Sequence, residues 1–154
     1  MRAEHLAEPI HRALVAIWAG ALWTVGYLVA PTLFGRLGDP VLAGEIAGWL
    51  FERVAQVGLV CGVLLLLLRG RQCHRVLLRE PTVWLVLALM AASAVQWQVL
   101  QPMMHALKAT TDVTGGSGRE AFGRLHAIAG VLYLAQSVAA LALVALPPWR
   151  AARV

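Results

Sequence analysis

Four long apolar runs dominate this chain, and most of its charged residues lie between the runs or at the two ends. The runs are Ile10–Pro31, Gly44–Leu68, Thr82–Gln101 and Phe122–Leu146. A helix needs about 20 mostly apolar residues to cross the hydrocarbon core of a bilayer, and every run reaches that length. We therefore predict an all-α polytopic membrane protein, a bundle of four transmembrane helices that forms one domain over residues 1–154.

Composition supports a membrane protein and excludes several other classes. Hydrophobic residues make up 60% of the 154 residues and charged residues only 14%, against about 25% charged in ordinary soluble domains. The basic residues behind the net charge of +5 flank the apolar runs and form no basic face, which excludes a nucleic-acid partner. The sequence contains no phosphate loop, no G-x-S-x-G and no H-E-x-x-H, so we expect no enzymatic activity.

The distribution of Lys and Arg predicts the orientation, because short cytoplasmic loops carry an excess of these residues. The tails and the 69–81 loop hold eight: Arg2, Arg12, Arg69, Arg71, Arg75, Arg79, Arg150 and Arg153. The other two loops hold four: Arg36, Lys108, Arg119 and Arg124. We predict that both termini and the 69–81 loop are cytoplasmic (N-in/C-in), and that tryptophans such as Trp18 anchor the helices at the interfaces.

Small residues recur at four-residue spacing in the first two runs, which lets helix backbones approach closely. The series are Ala16-Gly20-Thr24, Ala43-Ala47, Gly44-Gly48 and Gly58-Gly62. This spacing favours packing inside the bundle, and a homodimer face is the alternative.

Polar residues inside the runs are candidates for a site, because they are costly in lipid. The pocket candidates are Glu52, Arg53, Gln98, Gln101, His105, Arg124, His126 and Tyr133. Gln98, Gln101 and His105 have the spacing of one α-helical face. Most candidates fall in the predicted outer half of the bundle, which predicts a polar pocket that opens outward. The alternative is a purely structural role, such as an ion pair between Glu52 and Arg124.

Two cofactor hypotheses remain open at this point. His105 and His126 lie at similar predicted depth and could ligate one b-type haem. The same two histidines with Met103 and Met104 could bind a soft metal ion. The sequence has no C-x-x-C-H haem-attachment motif, and no cofactor follows from these residues alone.

Two segments carry a family resemblance. Residues 18–34 read W-A-G-x-L-W-x-x-G-Y-x-x-A-P-x-L-F, and residues 122–126 read F-x-x-L-H. With the four-span layout, they resemble small proteobacterial inner-membrane proteins that form a family of unknown function. That family in turn is similar to small eukaryotic transmembrane proteins linked to platinum-drug tolerance. The resemblance implies a four-helix fold in a bacterial inner membrane and no established reaction.

Three functions are consistent with these features. The first is binding or transport of a small polar solute or a soft metal cation through the outward pocket. The second is a non-catalytic subunit of a larger membrane complex, or a homo-oligomer, in the lipid bilayer. The third is a haem-binding redox protein. Transporters usually contain internal repeats and helices broken near the midplane, and the sequence indicates neither.

Overall fold

Six α-helices and two π-helical segments make up most of the chain that the structure, a computed structural model, describes: residues 2–72, 80–110 and 116–146. In chain order they are α1 (Arg2–Trp23), π1 (Thr24–Val29), α2 (Ala30–Arg36), α3 (Pro40–Gln72), α4 (Pro81–Val95), π2 (Gln96–Leu100), α5 (Gln101–Thr110) and α6 (Gly116–Ala145). Because α1, π1 and α2 are continuous, as are α4, π2 and α5, these elements form four long rods.

Each rod is long and apolar enough to cross a membrane, which confirms the predicted all-α fold with four spans. Spans 1 to 4 are Leu6–Arg36, Pro40–Arg71, Pro81–Thr110 and Gly116–Ala145. The helices extend beyond most ends of the apolar runs. The apolar runs mark only the residues suited to the hydrocarbon core of the bilayer. The helices are longer because their backbone hydrogen bonding continues into the membrane interface.

The spans form a ring in which each packs on its neighbours in the chain. Helix α1 packs on α3 and α6, and α4 packs on the same two helices from the opposite side. Span 4 therefore closes the ring on span 1. A three-residue connection, Leu37–Asp39, joins spans 1 and 2. Asp39 caps α3, since its Oδ1 accepts hydrogen bonds from the backbone N–H groups of Val41 and Leu42.

Trp18 lies at the centre of the core and is only 1% exposed. Its ring packs against Gly58 of span 2, in a cluster that includes Leu65 and Leu89. The prediction that Trp18 is an interfacial anchor is therefore wrong. Large apolar side chains such as Val131 lie exposed on the outside of the bundle, as expected for a surface that faces lipid.

The regularly spaced small residues lie on the inner surface of the bundle in span 2 and on its outer surface in span 1. Those of span 2 that are buried inside the bundle are Ala43, Ala47, Gly58 and Gly62. This confirms internal packing for that span, because their small size admits the neighbouring helices. The series on span 1 lies on the outer surface: Ala16 and Thr24 are exposed, and a Cβ added at Gly20 would meet nothing within 4 Å.

Both π segments end two residues before a proline, Pro31 in span 1 and Pro102 in span 3. A proline in a helix lacks the N–H of the α ladder, and its ring crowds the carbonyl four residues earlier. The wider turns replace α bonds with bonds five residues apart, from Ala30 N–H to the Val25 carbonyl and from Gln101 N–H to the Gln96 carbonyl. The helices thus continue past both prolines, and span 1 extends beyond Pro31, the last residue of the first apolar run.

A partly buried ion pair joins spans 2 and 3 at the end of the bundle away from both π segments. The guanidinium of Arg69 donates to the carboxylate of Glu80, and their side chains are 5% and 25% exposed. Pro81 follows in the first turn of α4, where a missing N–H costs nothing. Residues 73–79 between them lie outside the described residues.

Candidate functional site

A cavity of about 370 Å³ lies among the four spans, on the side where both π segments occur. The residues that bound it on span 1 are Gly26, Tyr27, Ala30, Pro31 and Phe34, and on span 2 Phe51. Span 3 contributes Gln96, Gln101 and Met104, and span 4 contributes His126, Ala129, Gly130, Tyr133 and Leu134. Among the described residues, the walls are mainly apolar and aromatic and include no Asp, Glu, Lys or Arg. This composition is typical of sites for small organic molecules.

Three of the eight predicted pocket residues line this cavity: Gln101, His126 and Tyr133. The structure places the other five elsewhere: Glu52, Arg53, Gln98, His105 and Arg124. The cavity is consequently much less polar than the pocket that the sequence predicts.

Four of the five remaining candidates make polar contacts outside the cavity. Glu52 Oε1 lies 3.7 Å from His105 Nε2, a contact that links spans 2 and 3. Arg53 donates a 2.7 Å hydrogen bond to Gln56 and lies over the Trp49 ring. Arg124 is exposed, with its Nη2 4.0 Å from Glu120 on the preceding turn. The anticipated pair between Glu52 and Arg124 is absent from the described part of the chain.

The π2 segment determines which glutamines face the cavity. An extra residue in one turn rotates the residues that follow by about 100° relative to an α-helix. Gln98 is therefore exposed while Gln101 is buried, and the predicted common face of Gln98, Gln101 and His105 does not form. Instead Gln96 and Gln101 line the cavity together, because five residues make about one π-helical turn. Sequence analysis missed Gln96; the only available signal was a glutamine six residues before Pro102.

The two cavity glutamines differ in the hydrogen bonding of their side-chain amides. Gln96 Nε2 donates a 3.0 Å hydrogen bond to the backbone carbonyl of Ala129 on span 4. Gln101 is only 6% exposed, and its side chain makes no hydrogen bond within residues 2–72, 80–110 and 116–146. Gln101 borders the cavity, and the donor and acceptor capacity of its amide is not used by these residues.

Tyr133 closes the cavity toward the centre of the bundle. Its hydroxyl donates a 2.6 Å hydrogen bond to the backbone carbonyl of Leu22, just before π1. Its ring makes an edge contact with Phe51, at 5.0 Å between centroids. The ring also fills the space beside Gly26, where any Cβ would overlap it. Gly26 is thus required for the close approach of spans 1 and 4.

Of the four residues considered for metal or haem binding, two line the cavity and two do not. Met104 and His126 line the cavity, whereas Met103 is exposed and His105 lies beside Glu52. The described residues contain no group of three or more His, Cys, Asp or Glu side chains placed to hold one metal ion.

The segment that carries the family resemblance builds one wall of the cavity. Gly26, Tyr27, Ala30, Pro31 and Phe34 all come from the 18–34 segment, and all five line it. In the second segment, residues 122–126, only His126 does so. Six of the fourteen fixed positions in the two segments therefore line the cavity.

Comparison with known families assigns the chain to one of them. Residues 13–112 match the family described as a domain of unknown function, DUF4149. The chain belongs to the DUF4149 family. The match includes the cavity walls from spans 1, 2 and 3, while the wall from span 4 lies beyond residue 112. No curated protein and no solved structure matches the chain.

Proposed function

We propose that this DUF4149 protein is a non-enzymatic membrane protein that binds one small molecule in the cavity between its four spans. The observation that carries the proposal is the Gln101 side chain, which borders the cavity, is only 6% exposed and makes no hydrogen bond within the described residues. A bound molecule with a hydrogen-bonding group would satisfy its amide.

The shape and lining of the cavity also support binding of an organic molecule. Its volume of about 370 Å³ lies within the range of small-molecule sites. Aromatic rings of Tyr27, Phe34, Phe51 and Tyr133 provide flat apolar surfaces, and only a few polar groups are available to orient a ligand.

A soft metal cation is the second candidate, and the presence of Met104 and His126 on the same cavity favours it. Two such ligands are fewer than the three or four that protein metal sites usually supply. Met103 and His105, the other predicted ligands, do not line the cavity. A lining without Asp, Glu, Lys or Arg among its described residues therefore supports an organic ligand better than a cation, and the same argument weakens the case for a charged solute.

Filling the cavity tests the proposal. A Cβ added at Gly130 meets nothing within 4 Å, and Gly130 lines the cavity, so Gly130→Leu should occupy the space without disturbing the helices. We expect the wild-type protein to retain a bound small molecule in native mass spectrometry after extraction from membranes. The Gly130→Leu protein should lose it.

Gly123→Leu is the matched control for this experiment. Gly123 lies on the same helix, is also free of neighbours within 4 Å, and does not line the cavity. The control protein should retain the molecule as the wild type does. Equal retention by Gly130→Leu would show that the molecule binds elsewhere, and the proposal would be wrong.

We further propose that the protein lies in a bacterial inner membrane with both termini in the cytoplasm. The support is the eight-to-four distribution of Lys and Arg outside the span interiors. A fluorescent reporter that folds only in the cytoplasm, fused after Val154, should be bright. A dark fusion, together with an active alkaline phosphatase fusion at the same position, would show that the orientation is the opposite one. The cavity would then face the cytoplasmic leaflet.

A further inference from the structure

Spans 1 and 4 are closely packed over only part of their length. Helix α6 packs on α1, α4, α5 and π2, but it makes few contacts with π1 or α2. The two spans therefore separate beyond Tyr133, where the Tyr133 ring packs against Gly26. The cavity lies in the resulting gap.

The residues at the edges of this gap are apolar and exposed. Tyr27 and Phe34 of span 1 and Leu134 of span 4 each expose more than half of their surface, although all three also line the cavity. Gly130 and Leu134 lie near the middle of span 4. An opening at that depth, between two spans, faces hydrocarbon and not water.

We infer that the ligand is a neutral amphiphile dissolved in the bilayer, which enters sideways between spans 1 and 4 and hydrogen-bonds to Gln101. This inference rests on the proposed function and adds the class of ligand and its route. The entry is lateral because the gap opens toward lipid. The ligand is uncharged because the described residues of the walls include no Asp, Glu, Lys or Arg that would compensate a charged group.

The polar end of the ligand is recognised by Gln101. A primary amide offers two donors and an acceptor, so it can satisfy a hydroxyl, an ester or a ketone. The apolar part of the ligand would contact the aromatic rings nearer the gap, among them Tyr27 and Phe34. Met104, which is buried in the cavity wall, would then lie within reach of a ligand but not of lipid outside the bundle.

A photoreactive lipid tests both parts of the inference. The protein would be placed in nanodiscs that contain a medium-chain monoacylglycerol with a diazirine in its acyl chain, irradiated, and mapped by peptide mass spectrometry. We expect adducts at Met104 in addition to adducts at Val138, which is exposed on the outside of span 4. Gly130→Leu should reduce Met104 labelling to background and leave Val138 labelling unchanged, and Gln101→Leu should lower Met104 labelling.

Three outcomes would overturn the inference. Labelling confined to outward positions such as Val138 would show that bilayer molecules do not reach the cavity. Equal labelling of Met104 by a fatty-acid probe with the same chain would show that neutrality is not required. Full labelling of Met104 in the Gln101→Leu protein would show that the ligand binds without a hydrogen bond to Gln101. If Met104 stays unlabelled while native mass spectrometry shows a retained molecule, this inference fails and the proposed function stands.

Discussion

Glu80→Ala is expected to destabilise the protein by about 2–3 kcal/mol, less than for one partner of a fully buried ion pair, because the Glu80 side chain is 25% exposed. The substitution takes away the carboxylate that the buried Arg69 guanidinium faces across spans 2 and 3. The pair lies at the ends of the helices it joins, so the hairpin of spans 2 and 3 should open first. The measurement is the SDS mole fraction at half-unfolding, followed by tryptophan fluorescence in bicelles.

The same substitution in an exposed pair provides the control. Glu120 lies 4.0 Å from Arg124, with side chains that are 76% and 81% exposed, so Glu120→Ala should cost less than about 1 kcal/mol. Adding Arg69→Met to Glu80→Ala should recover part of the loss, because it removes the buried charge. Equal midpoints for the two Glu→Ala proteins would show that the Arg69–Glu80 pair does not hold the hairpin.

Gly58→Leu should destabilise the bundle by about 3 kcal/mol, toward the upper end of the usual cost of overpacking a core. A Cβ at Gly58 would overlap the Trp18 indole ring and lie 3.2 Å from Ser93 Oγ. Trp18 is the most deeply placed large side chain on span 1 and is bounded on all sides, so the ring cannot move away. Span 1 must shift instead. Thermal unfolding in mild detergent measures the effect.

Substitutions at two other glycines, with smaller expected effects, provide comparisons for this prediction. Gly20→Leu places the same side chain on the outer surface of span 1 with no neighbour within 4 Å, and should leave the midpoint unchanged. Gly62→Leu meets the flexible Met90 side chain, which can move aside, so its effect should be intermediate. A Gly58→Leu protein as stable as Gly20→Leu would contradict the close packing of spans 1 and 2 at Trp18.

The number and class of the spans could be predicted because lipid imposes a length and a hydropathy on every crossing helix. The same argument could not place Trp18, since tryptophan suits both an interface and a tightly packed core. What decides its position is Gly58 on another span, where a missing side chain leaves room for the ring. Such a pairing between distant residues has no local sequence signature.

The cavity was harder to predict than the fold, and the reason is the π-helical turns. Sequence periodicity assumes 3.6 residues per turn, so it grouped Gln98 with Gln101 and overlooked Gln96. Prolines such as Pro31 and Pro102 can end, bend or widen a helix, and the sequence alone does not decide among these effects. Tyr133 and His126 were identified as polar residues within span 4, and both line the cavity.

The central claim is that the cavity bordered by Gln101 holds one small neutral molecule from the membrane. The most direct measurement is the mass of the intact wild-type chain ejected from native membrane vesicles without detergent. The account predicts a population with one uncharged organic molecule bound per chain, which survives activation that strips loosely attached lipid. A chain that appears only at its bare mass, or only with a metal ion, would contradict it.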